Sequence, residues 1–157
     1  MFLISYIFCE KNASSTIPDA LNRLGDCLFH ERQFQEAAQT YAKVAALKST
    51  GADYALMQSG YAYGLMHQYS KKVNILTSLI KEYPYSDYAD NAWYEIARAE
   101  LLQEHYTNAI QAYNELLKNY PHSKQAAKAS LEIGLTYRTL KQYEDAIQAF
   151  KGSSKSL

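Results

Sequence analysis

The sequence predicts an all-α fold, a right-handed superhelical solenoid of repeated helix–turn–helix units. Three observations carry this. A Tyr-Pro-x-Ser signal occurs twice, at Tyr83-Pro84-Tyr85-Ser86 and Tyr120-Pro121-His122-Ser123, 37 residues apart. A period in this range marks a repeat architecture. Between the signals lie two amphipathic helical patterns joined by a polar turn. The 157 residues hold only 3 Pro and 6 Gly, too few turn formers for a sandwich or barrel.

The central unit shows the logic. Pro84 ends the preceding helix, because it lacks an N–H and disfavours helical geometry just before it. Ser86 is the expected N-cap and Asp87 adds negative charge to the first turn. Ala89, Ala92, Trp93, Ile96, Ala97 and Leu101 share one helix face. Glu104-His105 turns the chain, and Ala109, Ile110, Tyr113, Leu116 and Leu117 mark a second helix. Small residues stand where the two helices approach closely, and Trp93, Tyr106 and Tyr113 fill the space between them.

The pattern recurs in register. Leu21, Leu24, Gly25 and Leu28 precede Phe34, Ala37, Ala38, Tyr41 and Val44. Leu56, Gly60 and Tyr63 precede Tyr69, Val73, Leu76 and Leu79. Leu131, Ile133, Gly134 and Tyr137 precede Tyr143, Ala146, Ile147 and Phe150. Gly25 to Gly60 is 35 residues, and Gly60 to Ala97 and Ala97 to Gly134 are 37 each.

This arrangement resembles the tetratricopeptide repeat family: a Leu-Gly pair and an aromatic on the first helix, Ala and an aromatic on the second, then a closing Pro. Four units are expected, at 18–52, 53–89, 90–126 and 127–151, after a 1–17 segment holding the stump of an earlier second helix and before a polar 152–157 tail. Three departures stand out. Lys72 replaces a small Ala, Ala97 replaces Gly, and Thr50-Gly51 replaces the closing Pro. The extra residues of each unit are expected to lengthen its first helix by about one turn. The Tyr-Pro-x-Ser-x-x-Ala signature is similar to the bacterial cell-envelope branch of the family, which includes outer-membrane assembly lipoproteins and Tol–Pal-associated proteins. That resemblance implies a periplasmic or envelope setting.

Composition narrows the function. There are 16 basic and 16 acidic residues, interspersed, so no phosphate-tracking surface is expected and nucleic-acid binding is excluded. The apolar start, Met1 to Cys9, lacks a positive leader and a small-residue cleavage site, and is too short to span a bilayer. Direct membrane insertion is not expected. Cys9 and Cys27 have no metal spacing; a disulfide and two buried thiols both fit, and buried thiols are the reading adopted. His30, His67, His105 and His122 fall beside turns and read as solvated. No metal site, cofactor motif or catalytic constellation is present. Glu95, Glu100 and Glu104 read as a solvated carboxylate row.

The chain is therefore read as a non-catalytic interaction scaffold, binding a protein or peptide segment in the concave groove that first helices line in such solenoids. The groove positions are Tyr54, Met57 and Tyr61, then Tyr94, Arg98 and Leu101, then Leu131, Leu135 and Arg138, with Asn22 and Asp26 in the first unit. Of the 15 Tyr, Tyr54, Tyr61 and Tyr94 have no place in the repeat pattern; they serve a groove or pack on neighbouring helices. The family's chaperone-binding clamp uses Lys, Arg and Asn at such positions. Here only Arg98 fits, so a different ligand is expected. No polar capping helix follows Phe150, so the chain is expected either to be a window from a longer repeat array, part of a larger cell-envelope protein, or to self-associate through an open end. Two alternatives remain: a peptide-sensing module of a multidomain regulator, and an accessory domain of an enzyme.

Overall fold

The computed structural model describes residues 17–153. Among them are eight α-helices and no strand: α1 Ile17–His30, α2 Phe34–Ala46, α3 Ala52–Leu65, α4 Tyr69–Glu82, α5 Ala89–Leu102, α6 Tyr106–Asn119, α7 Lys124–Thr139 and α8 Tyr143–Ser153. The segment read as a stump, and Cys9 within it, lie outside the described residues. The chain divides into two compact units, through Tyr83 and from Pro84. In the first, α1 packs on α2, α2 on α3 and α3 on α4, and α1 also meets α3. In the second, α5 to α8 repeat that scheme. No helix among the described residues is long and apolar enough to cross a membrane.

The four turns inside the helix pairs share one backbone solution. Arg32, His67, Glu104 and Lys141 each adopt positive φ, between 57° and 62°. The next residue in each case donates its N–H back into the preceding helix: Gln33 to Leu28 O, Gln68 to Tyr63 O, His105 to Glu100 O and Gln142 to Tyr137 O. This is a Schellman closure, which normally favours glycine at the left-handed position.

A knob-and-hole contact locks three of the helix pairs. A Cβ placed on Gly25 would lie 2.5 Å from the Tyr41 ring, one on Gly60 2.6 Å from Leu76, and one on Gly134 2.4 Å from the Phe150 ring. The absence of a side chain on the first helix is what admits the knob from the second. At the corresponding place in the third pair stand Ala97 and Tyr113, both fully buried. The departure at Lys72 has a similar explanation. Lys72 is 7% exposed, and a Cβ on Gly64 would meet its Cδ at 3.2 Å and Nζ at 3.3 Å. Gly64 makes the room that Ala at position 72 would otherwise leave.

Turns between pairs are tied by specific bonds. In the first unit Asn22 Nδ2 donates to Gly51 O (3.1 Å), Gly51 having φ 84°. Lys48 Nζ lies 3.4 Å from Glu82. In the second, the Tyr120 hydroxyl donates to Pro84 O (2.7 Å), so one Tyr-Pro turn holds the other. Gln125 Nε2 donates to Asn91 Oδ1 (3.1 Å), joining α7 to α5.

Several expectations are corrected. Ser123 caps α7, accepting from Ala126 N–H (3.2 Å), but Ser86 accepts from Tyr88 N–H (3.2 Å) in a turn that precedes α5. First helices are not generally longer: α1, α3 and α5 have 14 residues and only α7 has 16. Before α5 the extra residues form the Ser86–Tyr88 turn instead. Glu95 and Glu100 are buried, at 7% and 9%, because each has a partner: Arg98 Nη1 at 3.1 Å and His105 Nδ1 at 2.7 Å. His105 and His67 are thus paired turn residues, His67 Nδ1 lying 2.8 Å from the Tyr69 hydroxyl. Cys27 is only half-buried, so it is not a fully buried core residue.

Candidate functional site

The first-helix face of the first unit is built from α1 and α3. Asp26 stands one residue after Gly25, where the Tyr41 ring passes between the helices. The Tyr41 hydroxyl donates to Asp26 Oδ1 at 2.7 Å. Tyr54, from α3, donates to the same oxygen at 2.7 Å. The two rings meet edge-on with centroids 6.4 Å apart. Burial, then the hydrogen bond and charge of Asp26, push the Tyr41 hydroxyl far above the usual tyrosine range. Tyr54 is half-buried and serves the packing of α1 on α3 as well as the surface.

Met57 does not present a surface. It is 1% exposed and belongs to the core. The cause is legible in α3, where Ala52, Ala55, Leu56, Met57, Ser59, Gly60 and Ala62 are all buried, so the helix has no wide polar side. Tyr61 is half-buried, and Lys72 Nζ stands 5.9 Å from its ring centroid. The amino group above the ring is a cation–π arrangement, stronger where water is excluded.

The corresponding face of the second unit, on α5 and α7, is more open. Arg98 occupies the place that Asp26 has in the first unit, and its side chain is 55% exposed. It donates to Glu95 Oε1 at 3.1 Å, an i,i+3 pair within α5. Burial pulls the Arg98 guanidinium down, but Glu95 more than offsets this, so its affinity for the proton is raised. Tyr94 is half-buried, its ring centroid 5.6 Å from that of Tyr113. Leu101 and Leu135 are half-buried, Arg138 is exposed and Leu131 is 49% exposed.

Tyr113 behaves differently from its counterpart Tyr41. It is fully buried, yet its hydroxyl has no hydrogen-bond partner among the described residues. The physical reason is the change from Asp26 to Arg98: the acceptor is replaced by a donor. Burial first, then the charge of Glu132, pushes the Tyr113 hydroxyl upward, and the same two causes raise Tyr94. Glu132, on α7, thus adds negative charge to the surroundings of both tyrosines. Motifs do not reveal its importance. The signal that finds it is an alignment of the repeats at Gly25 and Ala97, which sets Arg98 opposite Asp26 and leaves the tyrosine beside it without its acceptor.

Among the described residues no group of three or more His, Cys, Asp or Glu could hold a metal ion. A cavity of about 350 Å³ lies between α6, α7 and α8, lined by Asn114, Leu117, Ile133 and Tyr137 among others.

Models described as tetratricopeptide repeat match residues 11–52, 74–124 and 94–153, and a second such model matches 54–86. No curated protein matches the chain in sequence. Among solved structures, a crystal structure of MamA aligns with TM-score 0.75 at 18% identity, covering 97% of this chain and 84% of that one. A MamA RS-1 ArsTM double mutant gives 0.70 at 20% identity, covering 99% and 81%. MamA 41-end from Desulfovibrio magneticus RS-1 gives 0.69 at 19%, covering 88% and 75%. These likenesses are likenesses of fold.

Proposed function

The chain belongs to the tetratricopeptide repeat family, and from that premise we propose that it is a non-catalytic scaffold that holds a segment of a partner protein against its first helices. The observation that carries the reading is the α5–α7 face. On it Leu131 is 49% exposed, Arg98 and Arg138 are exposed, and Tyr94 is half-buried. A solvent-facing apolar anchor beside aromatic and guanidinium groups is the composition of an interaction hot spot. Tyr54 and Tyr61 extend the reading to the first unit. The Tyr-Pro-x-Ser signature favours a cell-envelope setting.

The test is capture from envelope and cytosolic fractions by the native chain and by a Tyr94→Ala, Leu131→Ser variant of equal helicity. The partner retained by the first and lost by the second is then purified and its affinity measured directly. Equal recovery by both would sink the reading.

A second reading, self-association, is favoured by Tyr143 and Ile147 on α8, 57% and 50% exposed. Sedimentation of the native chain against Tyr143→Ser, Ile147→Ser separates the two, because only self-association makes mass depend on those residues.

A further inference from the structure

The first and last described helices, α1 and α8, carry the two halves of a contact that the chain makes elsewhere. Aligned on Gly60 and Gly134, Ala52, Ala55, Ser59 and Ala62 of α3 match Ala126, Ala129, Ile133 and Thr136 of α7. All are buried. Their spacing of three, four and three sets them on one stripe of the helix, offset from the glycine. That stripe takes the preceding second helix: α2 packs on α3, and α6 on α7. Aligned on Gly25, the same stripe of α1 is Ile17, Ala20, Leu24 and Cys27. There Ile17 is 73% and Leu24 42% exposed, Ala20 is exposed and Cys27 is half-buried. The stripe stays apolar where no second helix among the described residues precedes it.

α8 shows the opposite half. Ala38 of α2, Ile110 of α6 and Ile147 of α8 hold one position of the second helix. Ala38 is 0% and Ile110 8% exposed, each with a first helix following, whereas Ile147 is 50% exposed. The adjacent Ala146 is 4% exposed, so α8 is packed on its own pair and open on the side of Ile147. Tyr143, one turn earlier on that side, is 57% exposed. Charges of both signs border each face. Asp19 and Arg23, beside the α1 stripe, pair with each other at 3.0 Å, and Glu144 and Lys151 flank the open side of α8.

We propose that α1 is a docking surface for a second copy of this chain, whose α8 lies on the Ile17, Ala20 and Leu24 stripe as α6 lies on α7. Ile147 and Tyr143 supply the apolar side chains that the stripe covers. What selects this occupant is continuity with the α2–α3 and α6–α7 contacts: the chain already encodes both surfaces, matched in position and polarity. The contact joins unlike faces, so each bound copy leaves one α1 and one α8 open, and association runs on past the dimer. The inference rests on the self-association reading above and adds the face that α8 meets.

Sedimentation of the full chain over a concentration series is the test, beside variants of unchanged helicity. One carries Ile17→Ser and Leu24→Ser in α1, another Tyr143→Ser and Ile147→Ser in α8, and a third Tyr6→Ser. The native chain should grow in mass past the dimer, and added salt should change this little, because the stripe is uncharged. The α1 and α8 variants should each associate about tenfold or more weakly, the scale of one aliphatic side chain left unburied. Mixed in equal amounts, those two should form a 1:1 dimer and nothing larger, since each supplies the face that the other lacks. If the α1 variant associates like the native chain and the α8 variant does not, α8 meets α8; that overturns this inference and leaves self-association standing. Association gained only in Tyr6→Ser gives the stripe to residues 1–12 of the same chain and overturns the second copy as its occupant. A chain monomeric throughout sinks both readings.

Discussion

Lys72 lies against the backbone of Gly64, so close that a Cβ on Gly64 would stand 3.2 Å from Lys72 Cδ. The matching pairs elsewhere are Phe29 with Ala37, Leu101 with Ala109 and Arg138 with Ala146. Large-on-first, small-on-second is inverted in one repeat and kept in three. A double-mutant cycle should expose this. Lys72→Ala alone loses the buried stem and should cost about 1–3 kcal/mol. Gly64→Leu alone overpacks by a similar amount, about 1–3 kcal/mol, partly offset by better helix propensity. Together they restore the common arrangement, and the double variant should be more stable than either single one. Chemical denaturation checks it; simple additivity would refute the compensation.

Gly25 and Gly60 occupy equivalent holes but face different knobs. The Tyr41 ring at Gly25 is rigid and anchored to Asp26, whereas Leu76 at Gly60 ends in methyl groups that can turn. Gly25→Ala should destabilise by about 2–3 kcal/mol and Gly60→Ala by about 1 kcal/mol. Thermal melts of the two variants give the order, and a reversed order would show that the anchor does not matter.

Tyr41 and Tyr113 differ by one hydrogen bond, so their phenylalanine variants should differ at neutral pH. Tyr41→Phe removes a donor to Asp26 and should cost about 1–2 kcal/mol. Tyr113→Phe removes a hydroxyl with no partner among the described residues and should be neutral or slightly stabilising. Urea titrations of the two variants beside the native chain measure the difference, and equal losses would contradict it.

At alkaline pH both tyrosines act in the same direction. Burial holds their hydroxyls protonated well above the ordinary range, while unfolded tyrosine titrates near pH 10. Their contribution is complete below about pH 10 and is lost as pH rises above it, because the unfolded chain then binds fewer protons than the folded one. Tm should fall above that pH, and Tyr113→Phe should flatten the fall. An unchanged slope in the variant would remove Tyr113 from the account.

Glu104 adopts φ 61° where glycine carries no penalty. Relief of the left-handed strain outweighs the added freedom of the unfolded chain, so Glu104→Gly should raise stability by a few tenths to about 1 kcal/mol. Differential scanning calorimetry would detect the shift.

The helix pairs and their cores are legible in the sequence because burial repeats with helical period. Ala89, Ala92, Ile96, Ala97, Ala109, Ile110, Tyr113 and Leu116 are all buried as the spacing implies. What periodicity cannot show is compensation between helices. Lys72 reads as a defect until Gly64 is placed beside it. Glu95 and Glu100 read as solvated because a charge is judged by type, and its burial depends on a partner three or five residues on. Met57 reads as accessible because its position is judged from one wheel, while α3 is covered on several sides. The face of α5 and α7 is found by position, but its polarity is assigned to Arg98 and Arg138; Glu132, which forms no ion pair among the described residues, is not singled out by any motif.

The Schellman turns at Arg32, His67, Glu104 and Lys141 accept side chains of any charge at the same modest backbone cost. Two cations, an imidazole and a carboxylate occupy one backbone geometry, all exposed and all closed by the same main-chain bonds. Shape and surface chemistry are therefore uncoupled at one address per helix pair. A label, a charge or a coupling handle placed at Arg32, Glu104 or Lys141 inherits a fixed backbone position, whereas His67 also holds the Tyr69 hydroxyl, which gives the molecule three ready-made points for mapping distances or for tuning what its edge displays.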